Sequence, residues 1–540
     1  MEASVDAICS ADFVERVRVN QSRLWSEIKT QYDFIICGSG PAGSVVARRL
    51  AENPEVSVLL IEAGGDDNVP SVTEPGQWFL NLGSERDWNF WAEPNPHLNG
   101  RVIPMNMGKV LGGGSSINVM AWMRGHRNDW DFFASEAGDP AWSYEAILGT
   151  YRRIEDWHGV PDPDRRGVGG PVFVQPAPDP HPIASATLEA ARSVGIPSFD
   201  SPNGRMMEGE GGCSIIDVLI RNGRRQSVFR GYTFPYMDRP NLTVLSQAQV
   251  TKVTFEGRRA TGIELVHEGK HSRIGAGREI VLSLGAINTP KVLMHSGIGN
   301  QSALRSFGIP VVQHLPGVGQ NFQDHVGIGC LWEHPEFPPP RNNSAEVTFF
   351  WKSDPGLETP DLQTCLGELP MPSIETAAQF APPAKSWTMF AGVVRPKSGG
   401  RVYLSGPDPG DPMRIEANLL SHPEDIKAAL AAVELCREIG NSQSLRSFAR
   451  REVMPGSLKG LELQNFIRNA AISYWHQSGT AKMGRDAMSV VDGELRVYGL
   501  KNLRIADASI MPRIMTGNPM AACVVIGERA AEMLKIAHGV

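Results

Sequence analysis

Several things are scarce in this sequence of 540 residues, and each scarcity removes a class of function. The seven Cys (9, 37, 213, 330, 365, 436 and 523) are scattered, with no CxxC and no Cys/His cluster. No zinc site or other metal is therefore expected, and the odd count argues against a disulfide framework. No run of 18 apolar residues occurs, so no membrane span is expected. Glu2, Asp6, Asp12 and Glu15 stand where a secretory signal needs basic and then apolar residues, which makes a cytoplasmic location the expectation. A basic excess is also missing: 52 Lys and Arg face 59 Asp and Glu, a net charge of −7. The chain thus shows no footprint for nucleic acid and no charged tail.

Glycine and proline are plentiful, at 56 and 40 residues, short of low complexity but enough for a loop-rich fold. With 41% hydrophobic and 21% charged residues the composition is globular. The length corresponds to about three or four domain-equivalents and buries a large core without staples. No repeat of solenoid period is present.

Residues 1–32 read as an extension with a helical stretch, in which Phe13, Val14, Val17 and Leu24 fall near one face. From Asp33 an apolar run ends at Gly38-Ser39-Gly40-Pro41-Ala42-Gly43, a helical pattern follows, and a second apolar run, Val56 to Ile61, ends at Glu62. This strand–turn–helix–strand unit belongs to a doubly wound parallel sheet. In the GxGxxG turn, Gly38 permits the tight bend, Gly40 lets a pyrophosphate approach the backbone, and Gly43 lets helix and strand pack closely. The N–H groups and dipole at the helix start, including the amide of Ala42, favour phosphate. Glu62, 24 residues after Gly38, is placed to accept ribose hydroxyls. The motif alone does not choose between FAD and NAD.

Gly108–Asp131, GKVLGGGSSINVMAWMRGHRNDWD, resembles the first signature of the glucose–methanol–choline (GMC) flavin oxidoreductases at every specified position, and Gly285–Gly299, GAINTPKVLMHSGIG, resembles the second. LPGVGQNFQDH at Leu315–His325 looks like the family's strand-end loop, and NLRIADASIMP at Asn502–Pro512 like the strand that approaches the flavin. The resemblance runs from about Asp33 to the C-terminus, with 160–240 and 326–470 generic. It implies an FAD cofactor and an α/β fold. A Rossmann-like FAD-binding domain (33–160, 240–325 and 490–540) is interleaved with a substrate-binding domain (161–239 and 326–489), an antiparallel sheet flanked by helices.

By the same resemblance Val110, Gly113, Ser115, Asn118, Val119 and Ala121 meet the flavin, and the Gly112–Ser116 stretch can act as a nest of backbone N–H groups. Ile117 stands where some members attach FAD through a His, so the cofactor is expected to be non-covalent. Val250 is expected at the adenine, and Asp507 and Ala508 at the pyrophosphate or ribityl chain; Asp507 also suits a helix N-cap. Pro519 and Met520 are placed beside the flavin.

In SYWHQSGTAKMG, His476 falls on the family's catalytic histidine, and in MTGNPMAA, Asn518 falls on the second catalytic position, held by His or Asn. Alcohol oxidation needs removal of the O–H proton, which a neutral His accepts, while an Asn amide orients the substrate oxygen. Trp475 either lines the pocket or packs in the core. Aromatics gather at Trp78, Phe79, Trp88, Phe90 and Trp91, and at Phe349, Phe350, Trp351, Trp387 and Phe390. They suit either an aryl or apolar alcohol pocket or packing between domains. The resemblance implies an FAD-dependent alcohol oxidoreductase that passes electrons to O2 or another acceptor. The alternative on the same fold is a hydroxynitrile lyase with non-redox FAD.

Overall fold

The computed structural model describes residues 10–334, 336 and 338–540. Residues 1–9 of the extension lie outside these, as do Pro335 and Phe337 of the turn-rich segment 335–341. Two seven-stranded sheets dominate. In chain order their strands are β1 (Gln31–Cys37), β2 (Val58–Ile61), β3 (Gly212–Ile215), β4 (Leu242–Leu245), β5 (Ala248–Glu256), β6 (Arg259–His267) and β7 (Lys270–Leu282). They continue with β8 (Val326–Glu333), β9 (Val347–Trp351), β10 (Leu362–Gly367), β11 (Ser386–Val393), β12 (Arg451–Met454), β13 (Ala471–Ser473) and β14 (Leu503–Ile505).

The first sheet runs β4-β2-β1-β7-β6-β5, with β14 paired to the end of β7. Its β4, β2, β1, β7 and β14 pairings are parallel, as a doubly wound unit requires, while β5 and β6 form an antiparallel extension. Both faces of β1 are covered, so Phe34, Ile35, Ile36 and Cys37 are all buried, which is why this strand reads as a continuous apolar run. The helix Pro41–Ala51 starts with Pro at its first turn and lies against the C-terminal helix Met520–His538. The chain's last segment thereby returns to its first βαβ unit.

The second sheet, β12-β8-β11-β10-β9-β3 with β13 on the start of β8, is antiparallel throughout. The helix Pro423–Gly440 packs on it, and Trp332 and Trp387 stack at 4.6 Å on neighbouring strands. The fold is thus a Rossmann-like α/β unit interleaved with an antiparallel sheet flanked by helices.

The N-terminal helix, Ala11–Ser26, differs from the sequence reading at one position. Phe13, Val17 and Leu24 are buried, but Val14 is 46% exposed and Gln21 takes the fourth buried place. The reason is the sheet edge: Gln21 Nε2 donates to the Met237 and Leu242 carbonyls at 2.7 and 3.0 Å, and its Oε1 accepts from Val244 N at 2.9 Å. The strand read from Val56 begins at Val58. Among the described residues no helix is long and apolar enough to cross a membrane.

Candidate active site

One cavity runs from the Gly38 loop to the strands of the second sheet. Gly38 sits at φ 100°, where a Cβ would stand 2.2 Å from the Ser283 carbonyl, and a Cβ on Gly43 would stand 1.9 Å from the Gly38 carbonyl. The turn and the close packing therefore leave no room for a side chain. Gly40 is the opposite case: a Cβ there would have nothing within 4 Å, so its backbone faces open space at the start of the helix. Glu62 accepts from Ser39 N, Ser39 Oγ and Gly64 N at 3.1, 2.7 and 2.9 Å. Burial pushes its carboxyl up, against those hydrogen bonds.

The second glycine loop closes on the first. Ser39 Oγ, which donates to Glu62, also accepts from Gly112 N at 3.0 Å, and a Cβ on Gly113 would lie 2.9 Å from the Gly40 Cα. Asn118 Oδ1 accepts from Met120 N and from Arg225 Nη1, both at 2.9 Å, which turns its NH2 toward Met520 Sδ. Asp507 accepts from Gly285 N, Thr289 Oγ1 and Ser509 N, so it caps the turn Ala508–Ile510 while lining the cavity.

At the far end, Trp475 adopts φ 61° after the short strand β13, and this turn presents His476 to the cavity. Trp475 Nε1 donates to Asn106 Oδ1 at 3.0 Å, and its ring meets Trp78 edge-on. His476 Nε2 lies 3.1 Å from Asn518 Nδ2, and His476 Nδ1 lies 2.8 Å from His325 Nδ1. Asp324 accepts from His476 N at 2.9 Å and from Ser473 Oγ, which fixes the main chain that carries the imidazole. Burial pushes His476 down to about 3 and Asp324 up to about 7. It also drives His325 well below the usual histidine range, with neighbouring His476 adding to the shift. All three effects follow from removing water from a charged form.

Of the residues singled out from sequence, Gly38, Gly40, Ala42, Glu62, Gly113, Ser115, Asn118, Val119, Ala121, Trp475, His476, Asp507, Ala508, Asn518, Pro519 and Met520 line this one cavity. Gly43 and Val110 are packed behind it, and Val250 borders a small neighbouring cavity that shares Ala63, Trp88 and Leu284 with the first. The aromatic clusters divide: Trp78, Trp88 and Phe390 line the cavity, Phe349, Phe350 and Trp387 are core, and Phe79 and Trp91 are largely exposed. His325 stood in a quoted motif with no role given to it, and Gln363, whose Nε2 donates to Asn518 Oδ1 at 3.1 Å, lay in a generic strand.

The cavity joins an open glycine backbone at a helix start, a buried carboxylate and a histidine–amide pair facing apolar walls, and with its relatives this makes the chain an FAD-dependent alcohol dehydrogenase or oxidase. The chain belongs to the GMC oxidoreductase family, whose N- and C-terminal models match residues 32–327 and 396–527. It is 37% identical over 538 residues to the oxygen-dependent choline dehydrogenase of Klebsiella pneumoniae, covering 94% of this chain and 96% of that one. Identity to the mouse mitochondrial choline dehydrogenase is 36% over 543 residues, covering 94% and 90%. Among solved structures, pyridoxine 4-oxidase from Mesorbium loti superposes with a TM-score of 0.88 at 32% identity, covering 93% of this chain and 99% of that one. A fungal aryl-alcohol oxidase shares the fold, with a TM-score of 0.81 at 22% identity over 95% of this chain and all of that one.

Proposed function

We propose that the chain oxidises the CH–OH group of a neutral, apolar alcohol, aryl or alkyl, to a carbonyl, with His476 as base and FAD held non-covalently. The observation that carries this is the His476–Asn518 pair opening onto a wall of Ile216, Leu366, Leu369, Met371 and Phe390. Gly40, Ala42 and Gly113 would offer backbone to the pyrophosphate of a bound FAD, Glu62 a carboxylate to its ribose, and the Ser115–Ala121 loop and Asp507 would hold its flavin end. Ile117 lines the cavity and has no atom able to bond covalently to a cofactor. When bound, FAD supplies a two-electron acceptor for the C–H hydride.

The residues of the chain handle the proton. Burial keeps His476 neutral, so Nε2 has a lone pair for the hydroxyl hydrogen. Asn518 Nδ2 carries two hydrogens; one meets His476 Nε2, and the second is available to the substrate oxygen. With the hydroxyl proton taken by His476 Nε2 and the hydride accepted by a bound FAD, the substrate would be left as a carbonyl. The six described cysteines are free thiols, which supports a reducing, cytoplasmic setting.

The charge of the lining supports this substrate class. Among the described residues, Glu62 and Asp507 are the only carboxylates lining the cavity, and both are engaged at the cofactor end. Burying a quaternary ammonium with no counter-charge costs several kcal/mol, while an aromatic face returns about 2 kcal/mol. The deficit corresponds to about 10²-fold. An anaerobic titration of the holoenzyme with benzylic and alkyl alcohols should bleach the flavin, with choline at least that much poorer in kcat/KM. Choline as the preferred substrate would overturn the substrate class, and a flavin that stays oxidised with every alcohol would overturn the activity.

A further inference from the structure

The amides around His476 form a chain whose direction is set at the Thr348 end. Thr348 Oγ1 donates to the Thr364 carbonyl at 3.1 Å, so its one hydrogen is committed and only lone pairs remain. Gln363 faces that hydroxyl at 3.5 Å and must present its NH2 there, since a carbonyl oxygen would meet lone pairs. The same Nε2 donates to Asn518 Oδ1 at 3.1 Å. With its oxygen so occupied, Asn518 turns Nδ2 to His476 Nε2. That nitrogen is therefore an acceptor, and the imidazole proton sits on Nδ1, donating to His325 Nδ1 at 2.8 Å. His325 then carries its own hydrogen on Nε2, which has no hydrogen-bond partner among the described residues. The polarity of the chain is thus set from one end, the committed hydroxyl of Thr348 on β9.

We infer that Gln363 is a positioning residue that fixes the Asn518 amide and thereby holds His476 in the Nδ1–H tautomer, leaving Nε2 unprotonated, its lone pair facing the Asn518 NH2 until a substrate hydroxyl takes that place. With Asn518 rotated, its oxygen would face Nε2 and select the Nε2–H tautomer, which has no lone pair for the substrate proton. Gln363 is fully buried in β10, and its Oε1 has no partner among the described residues, so its Nε2 contacts alone orient it. The other titratable groups around the chain are Asp324, Cys365 and Tyr474; burial pushes all three up, and thiol and phenol stay neutral in the working range. The inference rests on the reading of His476 as base.

Two substitutions separate polarity from packing. In Gln363→Glu, the ionised carboxylate only accepts, so it draws Asn518 Nδ2 away from His476. We expect kcat/KM to fall about 10²-fold near neutral pH, mostly in kcat, and to recover on acidification as the new carboxyl gains a hydrogen to donate. Gln363→Met, of similar size but without hydrogen bonds, should lose about tenfold with no acid recovery. Wild-type kcat/KM in Gln363→Glu, or a profile that parallels Gln363→Met at every pH, would overturn the inference. A second readout does not depend on turnover. In [15N]histidine-labelled holoenzyme, the resonance missing from His476→Ala should show an unprotonated Nε2 in wild type and a protonated one in Gln363→Glu. The same tautomer in both would also overturn it. Should Gln363→Glu fail to fold, Thr348→Val frees the Gln363 amide and should weaken the Nδ1–H preference; an unchanged tautomer there counts against the inference. Full activity in His476→Ala would sink the assigned base instead, while the tautomer measurement still decides Gln363.

Discussion

In the proposed reaction a single lone pair, on His476 Nε2, would carry the proton-abstraction step. His476→Ala should keep yellow, bound FAD and lose about 10²–10⁴-fold in kcat/KM. Because burial takes this imidazole from the ordinary 6.5 down to about 3, it stays neutral at working pH. The kcat/KM profile between about pH 5 and 9 should therefore show no acid limb from His476. A limb centred near the free-histidine value that disappears in His476→Ala would show that the imidazole is solvated. The sequence made His476 and Asn518 readable because each sits in a short, specific motif. His325 and Gln363 were not readable as their partners, since the contacts 325–476 and 363–518 join residues more than 150 positions apart. No local pattern encodes such a pairing, and a glutamine on an apolar strand carries no signal of its own.

At the scale of elements, the two glycine loops act as one unit, with Ser39 bridging Glu62 and Gly112. Gly40 is the position where fold and cofactor can be separated. Its φ of −57° suits any residue, and its Cβ direction is open. Gly40→Leu should therefore leave the fold intact while filling the space proposed for the pyrophosphate. Thermal unfolding of the apoprotein should match wild type within about 0.5 kcal/mol, while FAD affinity drops by about 10²-fold or more, read from flavin fluorescence. Undiminished FAD binding would move the pyrophosphate away from this loop. The βαβ unit was legible because a 2-to-3.6 switch in period and a fixed motif are local properties. The face of the N-terminal helix was legible except at Val14. There the real stripe uses Gln21, a polar residue that satisfies the backbone at the edge strand β4. Hydrophobic periodicity does not see a buried amide of that kind.

The whole molecule is held partly by a buried charge network that joins distant stretches of chain. Glu155, fully buried, accepts from Trp122 Nε1 at 2.6 Å, from Arg124 Nε at 2.8 Å and from Arg166 Nε at 2.9 Å, and also pairs with Arg124 Nη2. Arg166 Nη1 continues to Asp217 at 2.8 Å, which also takes Ser201 Oγ and Asn203 Nδ2. Trp122 and Arg124 directly follow the second glycine loop, while Asp217 follows β3 of the second sheet, so this network ties that loop to the second sheet. Neither the two-sheet interleaving in detail nor this network follows from local pattern, because isolated Arg and Glu residues read as solvated surface. Removing the Glu155 charge leaves the buried Arg124 guanidinium without a counter-charge and Arg166 with Asp217 alone, which costs about 3–5 kcal/mol. Glu155→Gln should lower the unfolding free energy of FAD-saturated protein by that amount at neutral pH. The pH dependence has a definite sign. Burial pushes the Glu155 carboxyl up, but Arg124 and Arg166 more than offset this and hold it below the ordinary 4.5. Its contribution is thus fully present above the unfolded value and fades as pH falls through the lower folded one. The gap between wild type and Glu155→Gln should stay constant down to about pH 5 and close below about pH 4. A gap that stays open in acid would mean that the substitution acts through lost packing around Trp122 rather than through the missing charge.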